Sequence, residues 1–317
     1  MEVARQASPS SRWIDPATLM RIRSLELRAR TIVEGSRSGA NRSPFHGFSV
    51  EFTEYRPYSP GDDLRYLDWR LFARSDRYCV KRFEDETNLR CHVVLDASRS
   101  MEYGSLAYTK MDYARTLAAT LGYFLHLQGD AVGLVRFAAD VEEMVPARYR
   151  PGHLRRLLVA LEKRPAGVET DLGRPLATLA ERLARRGLVV LISDLLAPID
   201  SLAPHLSRLR FRGHEVLLFH ILDPAEARFE FDSPAVFRDI ESGRELHVDP
   251  AAARAGYLRR FAEHEESIRA TCARLGIAHR RLVTDEPLEI ALTEFLRARE
   301  RAGRRPFRRL RPAGRAA

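Results

Sequence analysis

At 317 residues, 45% of them hydrophobic and 30% charged, the chain has the composition of a globular protein with ample material for a buried core, which excludes fibrous and low-complexity architectures. No apolar run reaches the ~20 residues of a membrane span, Leu188 to Ile199 being interrupted by Asp194 and Pro198, and three scattered cysteines (Cys79, Cys91, Cys272) indicate neither a disulfide framework nor a zinc site. The net charge of +9 sits at the ends: residues 301–317 contribute +7 and residues 1–42 contribute +4, leaving 43–300 at −2, so a specific nucleic-acid surface is not indicated.

In chain order, Asp15 as N-cap, Pro16 in the first turn and Gly35 as stop predict a helix to about Glu34, with Leu19, Ile22, Leu25, Ile32 and Val33 on its docking side. Residues 43–90 interleave aromatics with dense charge, and Pro57, Pro60 and Gly61 forbid a long helix before Asp62. Short strands at about 48–54 and 79–87 are expected, with ion pairs among Arg56, Asp62, Asp63, Arg65, Asp68 and Arg70 fixing the segment. A hydrolytic site on Asp62, Asp63 and Asp68 is the alternative.

Val93, Val94 and Leu95 then form an apolar run without alternation, the pattern of a strand buried on both faces of a parallel sheet. Asp96, Ser98 and Ser100 follow at every second position, and a near-extended chain would point them to one side. No base accompanies the serines, so a catalytic triad is a poor fit, whereas a carboxylate with two hydroxyls suits a hard, oxygen-seeking cation. Helices are predicted over about 107–128, around Leu154–Leu161, Leu172–Leu183 and Leu202–Leu209, and strands over Ala131–Phe137, Val141–Val145, Leu188–Ser193 and Val216–Ile221. This alternation specifies a doubly wound, mostly parallel α/β sheet, and Asp96 and Asp194 both fall at carboxyl ends of its strands, where such folds gather functional groups. A hairpin around Ser242-Gly243, a helix over about 250–275, an edge strand near 280–283 and a last helix over about 287–300 complete the chain before the arginine tail. His220 and His264 are read as core histidines rather than ligands.

Asp96-Ala97-Ser98-Arg99-Ser100 resembles the Asp-x-Ser-x-Ser element of von Willebrand factor A domains, and Thr170 and Asp194 resemble, in order, the second and third elements of their metal-ion-dependent adhesion site. Tyr58-Ser59-Pro60-Gly61-Asp62-Asp63-Leu64-Arg65-Tyr66-Leu67-Asp68-Trp69 resembles the signature of the bacterial domain of unknown function 58 family, with Tyr58, Gly61, Asp62, Asp63, Arg65, Asp68 and Trp69 as its structural residues. The resemblance covers roughly residues 40–225, and with the readings above it divides the chain into five segments: a basic arm and helix (1–42), a β-rich signature segment (43–90), a von Willebrand factor A-like domain (91–225), a hairpin with C-terminal helices packed on it (226–300) and an Arg-rich tail (301–317). It also implies Mg²⁺, Mn²⁺ or Ca²⁺ at Asp96, Ser98, Ser100, Thr170 and Asp194; two carboxylates would just balance a divalent ion and leave it electrophilic, which favours a non-enzymatic module that captures a partner's acidic side chain over catalysis. A MoxR-type AAA+ ATPase is the implied associate and the cytoplasm the expected location, since the membrane hairpin of some members is missing. A metal-dependent hydrolase and an arginine-tailed nucleic-acid binder are the competing expectations.

Overall fold

The computed structural model describes residues 13–38, 54–57, 79–82, 89–164, 172–183, 185–231, 233–238 and 243–304. The chain divides into two compact units, Arg42–Asn88 and the remainder, Met1–Asn41 with Leu89–Ala317. In the smaller unit β1 (Glu54–Pro57) pairs antiparallel with β2 (Cys79–Arg82), Glu54 lying opposite Arg82. Pro57, which has no N–H to give a ladder, stands at the end of β1. The strand predicted at 48–54 overlaps β1 only at Glu54, its remainder lying outside the described residues.

The larger unit is built on a six-stranded sheet of β3 (Arg90–Asp96), β4 (Ala131–Phe137), β5 (Val141–Arg148), β6 (Leu188–Ser193), β7 (Glu215–Leu222) and β10 (Ala278–Val283), in the order β10-β7-β6-β3-β4-β5. All neighbours run parallel except β5, which returns antiparallel along β4. The chain leaves β3 toward β4 and β5 on one side, then comes back to lay β6 on the other. The strand order therefore reverses between β3 and β6, and a crevice opens at their carboxyl ends, the usual ligand position in open α/β sheets.

Alternating side chains of the central strands feed two cores. Val94, Val189, Leu191, Val216 and Leu218 pack under α5 (Gly173–Arg182), α6 (Ile199–Phe211) and α8 (Pro250–Leu275), which supply Leu176, Leu179, Leu202, Leu206, Ile268 and Cys272. On the other face Val93, Val132 and Leu134 meet α3 (Lys110–Leu127) and α4 (His153–Glu162) through Ala118, Leu157 and Leu161. Leu157, Leu161, Leu176, Leu179, Leu202 and Leu206, all within stretches predicted as helices, are buried. The ends of α8 follow its caps: Asp249 accepts from the Ala251 N–H, Pro250 opens the helix, and Gly276 closes it at φ 63°, a backbone a side chain would strain.

The N-terminal helix departs from expectation. It is two helices, α1 (Pro16–Met20) and α2 (Leu25–Ser38), the second running through Gly35 rather than stopping there. Tight bonds from Arg21 N to Thr18 O and from Ile22 N to Leu19 O end α1, and Ser24 starts α2 afresh by accepting the Leu27 N–H. A Cβ on Gly35 would sit at 3.4 Å from Ile14, ordinary packing distance, so α2 passes this glycine without needing its freedom to turn. Further along, a short helix, α7 (Pro224–Arg228), follows β7, and the hairpin strands β8 (Ala235–Arg238) and β9 (Glu245–Val248) pair antiparallel before α8; α9 (Leu288–Arg304) ends the described chain. Among the described residues no helix is long and apolar enough to cross a membrane.

Candidate functional site

β3 delivers Asp96 to the crevice, fully buried, beside Ser193 at the end of β6. The register pairs Leu95 with Ile192, which brings the next residues of both strands level at the rim. Ser193 Oγ donates to Asp96 Oδ2 at 2.6 Å, and the Ser98 N–H donates to Asp96 Oδ1 at 2.9 Å. The near-extended path expected past Asp96 holds as far as Ser98 and is then replaced by a turn. Ser98 keeps a strand-like backbone and caps a 3₁₀ turn, Arg99–Glu102, because its carbonyl takes the Met101 N–H. The turn still brings the hydroxyls together, Ser98 Oγ and Ser100 Oγ lying 3.0 Å apart.

Asp194 is buried at the end of β6 and its carboxylate faces Lys110. Lys110 opens α3, and its ammonium, with no exposed surface, donates to Asp194 Oδ2 at 2.9 Å and to Glu226 Oε1 of α7 at 2.7 Å. Glu226 closes a capping box by accepting the Asp223 N–H at its other oxygen, while Asp223 accepts both the N–H and the hydroxyl of Ser105 at 2.8 and 2.6 Å. One lysine and two acids thus tie the loop after β3 to the ends of β6 and β7.

The turn after Asp194 is strained and held. Leu195 has φ 51°, unusual for a bulky residue, and is fully buried. Its N–H bonds back to Ser193 Oγ at 3.0 Å, His264 Nε2 donates to its carbonyl at 2.9 Å, and His220 Nε2 donates to the carbonyl of Asp194 at 2.9 Å. A carbonyl can only accept, so both rings carry their proton on Nε2. Burial pushes His220 down to about 3, so it stays neutral. Both histidines are structural, as the sequence suggested, yet what they hold is the backbone on either side of a site carboxylate.

Burial first, and the charge of Asp194 second, push the Asp96 carboxyl up to about 7, against the hydrogen bonds from Ser193 and Ser98. Burial pulls the Lys110 ammonium down, but the two carboxylates on it outweigh that and hold it above its ordinary value. Lys110 is one positive charge shared by Asp194 and Glu226, and no cation is bonded to Asp96, so the three acids carry more negative charge than the lysine offsets. Among the described residues no group of three or more His, Cys, Asp and Glu side chains is arranged to hold a metal ion. The donor set is instead two carboxylates and two hydroxyls, all oxygen, which fits a hard divalent cation in charge and in ligand type. Thr170, the family-signature residues Tyr58, Gly61, Asp62, Asp63, Arg65, Asp68 and Trp69, and the tail beyond Arg304 lie outside the described residues.

Sequence reading missed Lys110, Glu226, Ser193 and Asp223. Asp223 was findable by the argument used for Asp96 and Asp194, since it follows a buried strand. Lys110 was not, because a lysine at a helix start reads as solvated surface.

The uncharacterized protein Mb1516 of Mycobacterium bovis is 31% identical over 292 residues, covering 90% of this chain and 91% of that protein. The uncharacterized protein Rv1480 of Mycobacterium tuberculosis matches to the same extent, 31% over 292 residues, with 90% and 91% covered. Among solved structures, an aerotolerance-related membrane protein from Bacteroides fragilis carrying multiple mutations to serines is similar at 15% identity and a TM-score of 0.46, over 66% of this chain and 98% of that one. The SpRpn10 VWA domain is similar at 12% identity and a TM-score of 0.38, over 64% and 94%. The family model described as "Protein of unknown function DUF58" matches residues 54–267, and the chain belongs to that family.

Proposed function

We propose that the protein is a binding module whose β3–β6 crevice holds a divalent cation and, through it, a carboxylate of a protein partner. The observation that carries this reading is the cluster of Asp96 and Asp194, buried at the strand-order reversal with one lysine shared between Asp194 and Glu226 and with the Ser98 and Ser100 hydroxyls paired beside Asp96. Asp96, whose oxygens are already engaged by Ser193 and Ser98, would hold the ion through water; Ser98, Ser100 and Asp194 would face it directly, with Thr170 as a further ligand. Mg²⁺, Mn²⁺ and Ca²⁺ all suit such oxygens, and the bound ion would supply an electrophilic position for an incoming carboxylate.

The hydrogen bonding favours docking over catalysis. The Ser98 and Ser100 hydroxyls bond each other, the nearby histidines donate to carbonyls, and Ser193, the serine bonded to the Asp96 carboxylate, is fully buried and also accepts the Leu195 N–H, which withholds it from a substrate. A scaffold or adaptor role beside a MoxR-type AAA+ ATPase in the cytoplasm is the setting we propose from the family resemblance.

Isothermal titration of the full chain with Mg²⁺ and with Mn²⁺, wild type against Asp96→Ala, tests the ion. Binding heat in the wild type and none in the variant is expected, and equal heats would end the proposal. Affinity purification from the native host with and without chelator tests the carboxylate, an unchanged protein profile counting against it.

A further inference from the structure

A cavity of about 660 Å³ opens against the crevice, and two of its wall residues belong to the site. Ser100 is one of the paired hydroxyls, and Glu226 is the carboxylate clamped by Lys110. From there the cavity runs between the loop after β6, α8 and the β8–β9 hairpin, within one compact unit of the chain. Its floor is aromatic: Phe229 stacks on Tyr257 at 4.5 Å and on Phe237 at 5.8 Å between ring centroids, and Phe231 packs edge-on against both Phe229 and Phe237. Tyr257 is fixed by donating its hydroxyl to the Glu226 carbonyl at 2.8 Å.

Its rim exposes what a folded chain normally covers. Leu196, two residues past Asp194, is 56% exposed, and Leu246 of the hairpin is 66% exposed. Apolar side chains left open around a concave aromatic floor mark an interaction site rather than scattered surface. The charges select the occupant. Arg238 and Arg260 line the cavity, while Glu226, the acid among the lining residues, is neutralised by the buried Lys110 ammonium. Arg238 faces Glu245 of the hairpin at 4.0 Å, so Arg260 is the cation an approaching carboxylate meets along the groove, with Glu226 already held by Lys110.

Resting on the metal-site proposal, we infer that this groove is the second half of the same binding surface, and that it takes an extended segment of a protein partner in which large apolar side chains follow an acidic residue. The carboxylate goes to the cation at the crevice, and the apolar side chains lie on Phe229, Phe237 and Tyr257. An acidic flank beyond them faces Arg260. A volume of about 660 Å³ accommodates more than one side chain, so the groove reads a short sequence rather than a single residue.

The probes are three labelled, end-blocked peptides: Gly-Asp-Phe-Leu-Glu-Gly, its Asp-to-Asn counterpart, and one with Ser replacing Phe and Leu. Binding to the full chain is followed by fluorescence anisotropy in Mg²⁺, with Mg²⁺ binding measured separately by calorimetry. The expected result is that the Ser peptide and the Asn peptide each bind at least tenfold more weakly than the parent, about 1.4 kcal/mol or more. Leu246→Glu, at an exposed position, and Arg260→Glu are expected to weaken the parent peptide by a similar factor while leaving the Mg²⁺ titration unchanged. Parent and Ser peptides binding equally, neither variant having an effect, or no peptide binding at all would each overturn the groove while an intact Mg²⁺ titration leaves the metal site standing. A parent peptide that binds tightly and is lost in Leu246→Glu, with no Mg²⁺ heat in the wild type, would keep the groove and remove the metal. If Leu246→Glu instead changes the oligomeric state in sedimentation, the face belongs to a second copy of the chain and the inference fails.

Discussion

Replacing Lys110 with Met keeps the length of the side chain and removes the one positive charge bonded to both Asp194 and Glu226, at 2.9 and 2.7 Å. At an effective dielectric of about 20 each contact represents roughly 6 kcal/mol of gross attraction. Desolvation of the three groups offsets most of it, so the pairing itself is no large net gain. Breaking such a pair is different, because two buried carboxylates keep their desolvation cost and lose their partner, a loss of about 3–5 kcal/mol. For a unit of this size that corresponds to a fall in Tm of roughly 6–20 °C. The assay is thermal unfolding in chelator at pH 7.5, with Lys163→Met as control, since the exposed Lys163–Glu143 pair should cost under about 1 kcal/mol. Added Mg²⁺ should then restore more Tm in Lys110→Met than it adds to the wild type, because the variant site carries one more negative charge. A Lys110→Met protein unfolding within a degree or two of wild type would refute the charge accounting on which the site rests.

Asp96→Asn makes a complementary test. The Asp96 carboxyl is held above its unfolded value, so its contribution is fully present below about pH 4 and is lost as pH rises through about 7. In chelator, Asp96→Asn should gain on wild type between pH 5 and pH 8, and its Tm should not respond to Mg²⁺; parallel pH curves would contradict this. Away from the site, burial holds His92 down to about 4, so its contribution is present above about pH 6.5 and is lost as pH falls toward 4, roughly 3 kcal/mol in all. His92→Leu should flatten the acid limb of a stability-against-pH profile, and an unchanged limb would count against a neutral buried ring. His264→Ala frees the Leu195 carbonyl and should weaken Mg²⁺ binding by about tenfold in calorimetry with little change in far-ultraviolet dichroism; an unchanged affinity would show that this bond does not position Asp194.

The sheet was legible because its strands are buried on both sides, so Val93–Leu95 and Leu188–Ile192 show no alternation that could be mistaken for a surface strand. The long helix α8 was legible to the residue, since Asp249-Pro250 and Gly276 are strong local signals at its two ends. The break between α1 and α2 was not: no Gly or Pro marks Arg21–Ser24, and the interruption comes from backbone bonds that composition does not encode. For the site, the acids at strand ends could be found from pattern alone. Their surroundings could not, because Lys110 lies 84 and 116 residues from its two partners and a contact between such distant positions leaves no periodic trace. The turn that follows Ser98 was missed for a related reason, the near-extended path holding only that far. The Ser98 N–H bonds the Asp96 carboxylate itself, so the side chain sets the backbone that was assumed to present it.

The hairpin of β8 and β9 is an isolated two-stranded ribbon, whereas β3 and β6 lie in the interior of the sheet. Such ribbons are marginal on their own, and interior strands are the slowest parts of a fold to exchange their amides with solvent. One end of the rim is therefore stiff and the other compliant. A carboxylate arriving at the stiff end meets fixed oxygens, and the compliant wall can close over differing apolar side chains without disturbing them. Substitutions in the hairpin can accordingly retune which segment is gripped while the interior strands beneath Asp96 go untouched.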